Sequence, residues 1–325
     1  LGSFMGQGIE SLEGPPSRVH VLFLGDRGHH QPAERLGSVW GALAREGVAV
    51  EWEEELAGVT AERLADFDCL MVYANQPSHS KAPPEFMEAV LGFVRGGGGL
   101  VALHCASGCF SETDAWLDLV GARFLSHGAE IFSQQVVLPE HPIVAGWEAF
   151  ESWDETYVQQ HHEAGRTVLA FRGEEPWTWV RTEGKGRVFY TASGHDGRTW
   201  SQPGFLGLLL RAVDWTVGAQ IASRRSAFPL PDLPGTREDM VPNYEGLEDR
   251  PLFQRPSTPR EARDRLQPPA GVTVKLFAAE PMVVNPIAMA WDERGRLWVL
   301  ESPDYPNEVH ESGEGNDRVT ILEDT

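Results

Sequence analysis

Ten of the eleven histidines lie before residue 220, and imidazole is the side chain best suited to metal ligation and to proton transfer near neutral pH. Three of them stand where apolar runs end. His29 and His30 follow Arg18–Gly25, His104 ends the run Leu100–Leu103, and His195-Asp196 follow Arg187–Ala192. If those runs are parallel strands, the three positions share the carboxyl edge of one sheet, where open α/β folds bind ligands. Gly96 to Gly108 is the sharpest local feature. A tight strand-to-helix elbow needs small residues two places either side of the side chain it presents to solvent. His104 has Ala102 and Ala106, whereas Cys105 has Leu103 and Ser107, so His104 is the presented residue. A histidine there is a ligand or a base rather than an acyl nucleophile. Trp153-Asp-Glu-Thr-Tyr157 sets two carboxylates among aromatics. A carboxyl group held against apolar rings would have a raised pKa suited to acid–base work; a solvated acidic loop is the plainer reading. His127 follows a short strand at Ala122–Phe124, His141 caps a turn before Pro142, and His161-His162 reads as surface.

The elements that must position these residues follow from periodicity. Arg18–Gly25, Val48–Trp52, Phe67–Tyr73 and Leu100–Leu103 read as buried strands, separated by helices over Pro32–Glu46 and Pro84–Arg95. Thr113–Val120 is a short helix. Gln134–Leu138, Thr167–Phe171, Trp177–Arg181 and Arg187–Ala192 follow as strands, with Gly184-Lys-Gly186 as a hairpin turn between the last two. Pro203–Val217 repeats apolar residues at helical spacing. The alternation predicts an α/β fold with a doubly wound, mostly parallel sheet. Nine of the 23 prolines fall within 221–270, which reads as a linker. From Gly271 the pattern turns to short strands, Val272–Phe277, Pro286–Trp291, Arg296–Leu300 and Arg318–Leu322, resembling the opening blade of a β-propeller. The expected domains are therefore 1–16, a disordered lead; 17–220, the α/β domain; 221–270, the linker; and 271–325, the blade.

Composition narrows the function. With 27 basic and 48 acidic residues the net charge is −21, and no basic patch offsets it, which argues against a nucleic-acid partner. No apolar run reaches membrane-spanning length and no signal peptide is visible. The chain starts at Leu1 and stops within the strand-rich region, as expected of a fragment. Three cysteines give no disulfide framework, and the glycines form no phosphate-binding signature.

Taken together, Gly98-Gly-Leu-Val-Ala-Leu-His104, Val120–Phe124 with His127-Gly128, His141-Pro-Ile143, Asp154-Glu-Thr-Tyr157 and Gly184–Tyr190 through Gly194-His-Asp196 resemble the ThuA-like (trehalose utilisation) domain. They cover about residues 17–220 in that family's order. The resemblance implies a class I glutamine amidotransferase-like, flavodoxin-like fold with His104 in place of the amidotransferase cysteine, so glutamine hydrolysis is not implied. It implies instead a small-molecule carbohydrate, in particular a 3-keto disaccharide or glycoside, and a hydrolase, lyase or isomerase reaction. The tail resembles the start of a sugar-dehydrogenase-like propeller, a partner domain within a longer chain, and the resemblance points to a periplasmic or extracellular setting.

Under that reading His104, His127 and His195 are ligands of a divalent metal, zinc or manganese, or direct donors to substrate. Asp196 orients one imidazole, Glu155 is the base, and Tyr157 is a proton donor or sugar contact. His29 and Trp200 are substrate contacts, with core packing as the other role for Trp200. Two further readings remain open: a non-catalytic carbohydrate-binding or docking module, and a cysteine hydrolase with Cys105 as nucleophile and His195 as base.

Overall fold

The computed structural model describes residues 16–236, 253–305 and 315–323, in two compact units. The expected disordered lead over 1–16 lies, but for its last residue, outside the described residues, as does residue range 237–252 of the expected linker.

The larger unit spans Pro16–Asp232 with Gln267–Val272. Its strands β1 (Val19–Leu24), β2 (Val48–Glu53), β3 (Cys69–Val72) and β4 (Gly99–Leu103) lie where the apolar runs predict. Further on come β5 (Arg123–Ser133), β6 (Gln135–Val136), β7 (Glu151–Gln160), β8 (Thr167–Arg172), β9 (Glu175–Glu183) and β10 (Gly186–Thr191). Eight of these form one sheet in the order β2-β1-β3-β4-β10-β9-β8-β6. The first five strands of that order pair in parallel and the rest antiparallel.

The helices are α1 (Pro32–Arg45), α2 (Ala61–Leu64), α3 (Pro84–Gly96), α4 (Asp114–Val120), α5 (Gly197–Trp200) and α6 (Pro203–Val217). Proline opens α1, α3 and α6, where its missing N–H costs nothing. The central strands are buried on both faces, so alternate residues feed two cores. Leu22, Leu70, Leu100 and Val188 pack with Phe86 and Val90 of α3 and Trp116 of α4. Val21, Met71, Val101 and Phe189 pack with Leu36 and Leu43 of α1 and Leu208 and Ala212 of α6. Gly184 turns the β9–β10 hairpin at φ +60°, and a Cβ on Gly186 would overlap the carbonyl oxygens of Val94 and Gly98.

Two elements differ from expectation. The short strand at Ala122–Phe124 is the start of the eleven-residue β5, and the acidic stretch around Glu155 is β7, its antiparallel partner. Together they make a two-stranded ribbon. One side packs on the unit through Phe132, against Trp177, and through Asp154; the other carries buried Tyr157, then Glu155, Trp153 and exposed Ile131, so polar and apolar residues mix on both sides and hide the strand period.

The smaller unit contains the antiparallel sheet Pro286–Trp291, Leu297–Glu301 and Arg318–Leu322, with Asp292 and Gly295 (φ +76°) in the first turn. The strand expected over Val272–Phe277 does not form, and Val272 is half exposed. Within the expected linker, Pro259–Arg265 is a helix opened by a Thr258–Glu261 capping box. Among the described residues no helix is long and apolar enough to cross a membrane.

Candidate metal centre

His104 takes φ +43° immediately after β4, a left-handed conformation that is costly for a residue with a Cβ and typical of functional positions. Its ring is completely buried. The Nδ1 atom lies 2.7 Å from the carbonyl oxygen of Ala192, just beyond β10. A carbonyl only accepts, so Nδ1 carries the proton and the Nε2 lone pair faces the site. Its own carbonyl accepts from the Tyr190 hydroxyl at 2.9 Å, and the Tyr157 ring packs against the imidazole at a centroid distance of 4.0 Å.

His30 and His195 come from loops that follow β1 and β10. Each loop is held by a buried carboxylate. Asp26 accepts from the backbone N–H groups of Gly28, Asn75 and Gln76 at 2.7–2.9 Å. Asp154, on β7, accepts from the N–H of Gly194 at 2.8 Å, and from the N–H of His195 and the Thr199 hydroxyl at 2.9 Å. The Gly194 carbonyl in turn accepts from Tyr73 Oη and Trp200 Nε1. Backbone this densely bonded places the His195 ring without help from the ring itself.

The three imidazoles His30, His104 and His195 form a near-equilateral triangle, with centroids 5.2, 5.3 and 5.4 Å apart. Glu155 completes the group: Oε2 lies 3.3 Å from His104 Nε2 and 3.1 Å from His195 Nδ1. One donor atom from each of the four residues lies within 4.8 Å of all the others. Although these distances suit ion pairs, neither ring nitrogen has hydrogen-bond geometry, and both nitrogens of His30 are likewise without a partner. Leaving a buried polar atom unbonded costs about 1–3 kcal/mol. Lone pairs that converge on a common point instead of on each other are what a cation needs. Three imidazoles and a carboxylate suit zinc, manganese or iron rather than the all-oxygen ligation of calcium.

The charge states of His30 and Glu155 agree with that use, whereas His195 is held toward its protonated form by Glu155 until a cation displaces the proton. Burial, then the neighbouring His104, His29 and His195, push the His30 imidazole down to about 2, so it stays neutral with a lone pair available. Burial alone would raise Glu155, but its contacts with His104 and His195 outweigh it and hold the carboxyl below its usual range. The raised pKa expected of a carboxyl among aromatics is thus reversed. The Glu155 contact raises His195 against the effect of burial.

Other expected site residues stand at varying distances from this group. His127 is half exposed on β5, its Nδ1 3.5 Å from Glu155 Oε1; His30 takes the place expected for it among the four donors. Exposed His29 packs on His30 at 3.9 Å between centroids and stands 6.4 Å from His195, on the rim. Tyr157 is buried, which keeps its hydroxyl protonated. Asp196 orients no imidazole; it caps α5 and binds Arg198 through Nε at 2.6 Å and Nη2 at 3.2 Å. The Ala192 carbonyl orients His104 instead. Trp200 is 2 % exposed and packs on Tyr73 and Phe205, which leaves no face for a sugar. Cys105 is 1 % exposed and burial pushes its thiol well above the usual range, the opposite of what a nucleophile needs. His141 accepts from the Ile143 N–H as a turn cap, and His161 and His162 pair with Asp118 and Arg166 at the surface.

Spacing alone missed Asp26, and it marked His30 and Asp154 only as neighbours of His29 and Glu155, to which the roles were given. The His29-His30 doublet marks the loop, but which ring turns inward depends on the left-handed Gln31 (φ +54°) that enters α1.

A family model described as trehalose utilisation (ThuA) matches residues 19–216, and one described as a domain of unknown function (DUF7133) matches residues 258–325. Among solved structures, a putative ThuA-like protein from Bacteroides uniformis is 15% identical, covers 64% of this chain and 95% of its own, and superposes with a TM-score of 0.53. A putative ThuA-like protein from Parabacteroides merdae is 16% identical, covers 77% and 99%, and gives 0.50. At such identities the likeness is one of fold. No curated protein matches.

Proposed function

Since the chain belongs to the ThuA (trehalose utilisation) family, we propose that its larger unit is a metal-dependent carbohydrate enzyme. It holds zinc or manganese on His30, His104, Glu155 and His195, and acts on 3-keto disaccharides or glycosides as a hydrolase, lyase or isomerase. One observation carries this reading: the buried imidazoles of His30 and His104, the partly buried His195 ring and the Glu155 carboxylate place donor atoms within 4.8 Å of one another, and the imidazole nitrogens that face the group have no hydrogen-bond partner.

A divalent cation supplies Lewis acidity toward a carbonyl oxygen. The chain's residues do the rest. A keto group at C3 acidifies the adjacent C–H bonds, so a base can remove a proton there and the glycosidic oxygen can depart. Glu155 Oε2 is enclosed by two imidazoles, while Oε1 faces half-exposed His127, so the acceptor at the open side is the His127–Glu155 pair rather than Glu155 alone. Tyr157, protonated and packed at a tilt on His104, is the hydroxyl donor beside them. The smaller unit is, on the same proposal, the opening blade of a propeller dehydrogenase that would supply the oxidised sugar.

Metal analysis of the purified chain tests the reading, combined with turnover of 3-keto disaccharides before and after chelation. About one ion per chain is expected, with turnover lost on chelation, restored by zinc or manganese, and absent in His104→Ala. A chain that takes up no ion, or keeps full turnover after chelation, refutes it.

A further inference from the structure

We propose that the solvent side of the β5–β7 ribbon is a binding subsite for a second sugar ring, so that the substrate has two rings, one at the four-residue cluster and the other on the ribbon. This deepens the proposed function and rests on it for the position of the first ring.

Register defines the surface. His127 pairs with Tyr157, Ala129 with Glu155, and Ile131 with Trp153, and directly paired residues point to the same side of a ribbon. The opposite side is occupied: Phe132 packs on Trp177, and Glu130 pairs with Arg172. The side that carries Glu155 into the cluster therefore also carries Trp153 and Ile131 one step outward, about 6.7 Å along the strands. Ala129 lies opposite Glu155 and adds no bulk between cluster and ledge. Ile131 is 65% exposed and stands directly opposite Trp153. The Trp153 indole is held in place, with the Arg198 guanidinium 4.3 Å from its ring, and Asp196 grips that guanidinium through two nitrogens.

Ile131 and the Trp153 indole, one face of which is covered by the Arg198 guanidinium, put apolar surface beside a charged, hydrogen-bonding pair, which matches a sugar ring, whose axial C–H bonds give it an apolar face and whose hydroxyls line its rim. Its continuity with the cluster, one pair of residues away on the same two strands, argues for the second ring of one substrate rather than a separate ligand. It also gives Asp196 a task, as the anchor of Arg198.

The test titrates the full chain and its Trp153→Ala and Ile131→Ser variants with trehalose and with methyl α-glucoside, which has one ring, by calorimetry. Turnover of a 3-keto disaccharide is measured separately. Ile131→Ser alters an exposed side chain and keeps the experiment decisive should Trp153→Ala fold poorly. We expect wild type to prefer the two-ring sugar, and the ratio of the two affinities to fall about tenfold in Trp153→Ala and about threefold in Ile131→Ser. An unchanged ratio in both variants, equal affinity of wild type for the two sugars, or no sugar binding overturns the subsite. A wild type that shows the preference, loses it in the variants and yet turns nothing over supports the subsite while removing the proposed catalysis.

Discussion

Asp154→Asn is the most exacting test of how the site is held. The carboxylate is 1 % exposed and accepts four hydrogen bonds, two at each oxygen: Gly194 N–H and the Thr199 hydroxyl at one, His195 N–H and Glu155 N–H at the other. Asparagine keeps one oxygen but turns an NH2 group toward the other two donors. The Thr199 hydroxyl can rotate, since Ser152 Oγ lies 3.0 Å away as a second partner; the N–H of Gly194 or His195 cannot. Hydrogen bonds to charged groups contribute about 1.5–3 kcal/mol each, and a buried N–H left unbonded costs a similar amount. The amide sheds the carboxylate's own desolvation, which offsets part of this. A loss of about 2–4 kcal/mol in unfolding free energy follows, or on the order of 10 °C in melting temperature for a unit of this size. His195 would also lose its set position, and removing the partner that orients a ligand lowers metal affinity about 10–100-fold. Urea denaturation of the metal-free variant gives the first quantity; zinc titration, with the visible spectrum of the cobalt form as a geometric readout, gives the second. A variant within about 0.5 kcal/mol of wild type, with unaltered zinc affinity and cobalt spectrum, would show that the anchoring argument is wrong. Lowered stability with unaltered affinity would reduce Asp154 to a purely structural bond.

Three other outcomes are expected. Cys105→Ala retains turnover, and thiol alkylation leaves the native chain unmodified because all three cysteines are buried; lost turnover would revive the thiol nucleophile. Burial holds the His20 imidazole on β1 below the usual histidine value of 6.5, so both states are neutral above that pH and the unfolded chain takes the proton first below it. Stability accordingly falls as pH drops through 6.5 toward 5, and His20→Gln makes that decline shallower in urea denaturation series; an identical slope would count against it. Gly37→Ala, in α1 with open space at the Cβ, stabilises by about 0.5–1 kcal/mol, whereas Gly186→Ala, facing two carbonyl oxygens, costs more than about 3 kcal/mol; melting curves in which both behave alike would contradict the packing.

The central sheet was readable because its strands are buried on both sides, and a continuous apolar run ending in Gly25, His104 or Ala192 admits few other interpretations. The ribbon was not. The side of β7 with Asp154 and Thr156 packs with polar residues, while the opposite side runs from buried Tyr157 to exposed Ile131, so the two-residue period carries no hydrophobic signal. The elbow at His104 could be inferred from the small residues around it, but the expected presentation of that ring to solvent fails, since it is completely buried. Choosing His30 over His29, or placing His127 beside Glu155 and outside the cluster, depends on the twist of a loop and of a ribbon. Neither leaves a mark in composition. The role expected of Asp196 failed for a related reason: Arg198, two residues on, is the nearer cation once α5 forms.

The four donors are drawn from residues 30, 104, 155 and 195, each delivered by a different strand. A ligand gripped by all four would therefore act as a cross-link over more than half of the larger unit, closing three long loops at one point. Because only the folded chain assembles the grip, occupancy and folding become one equilibrium: free ligand at a hundred times its dissociation constant would add about 2.7 kcal/mol to stability. Starving the chain of that ligand would weaken the scaffold as well as silence the site.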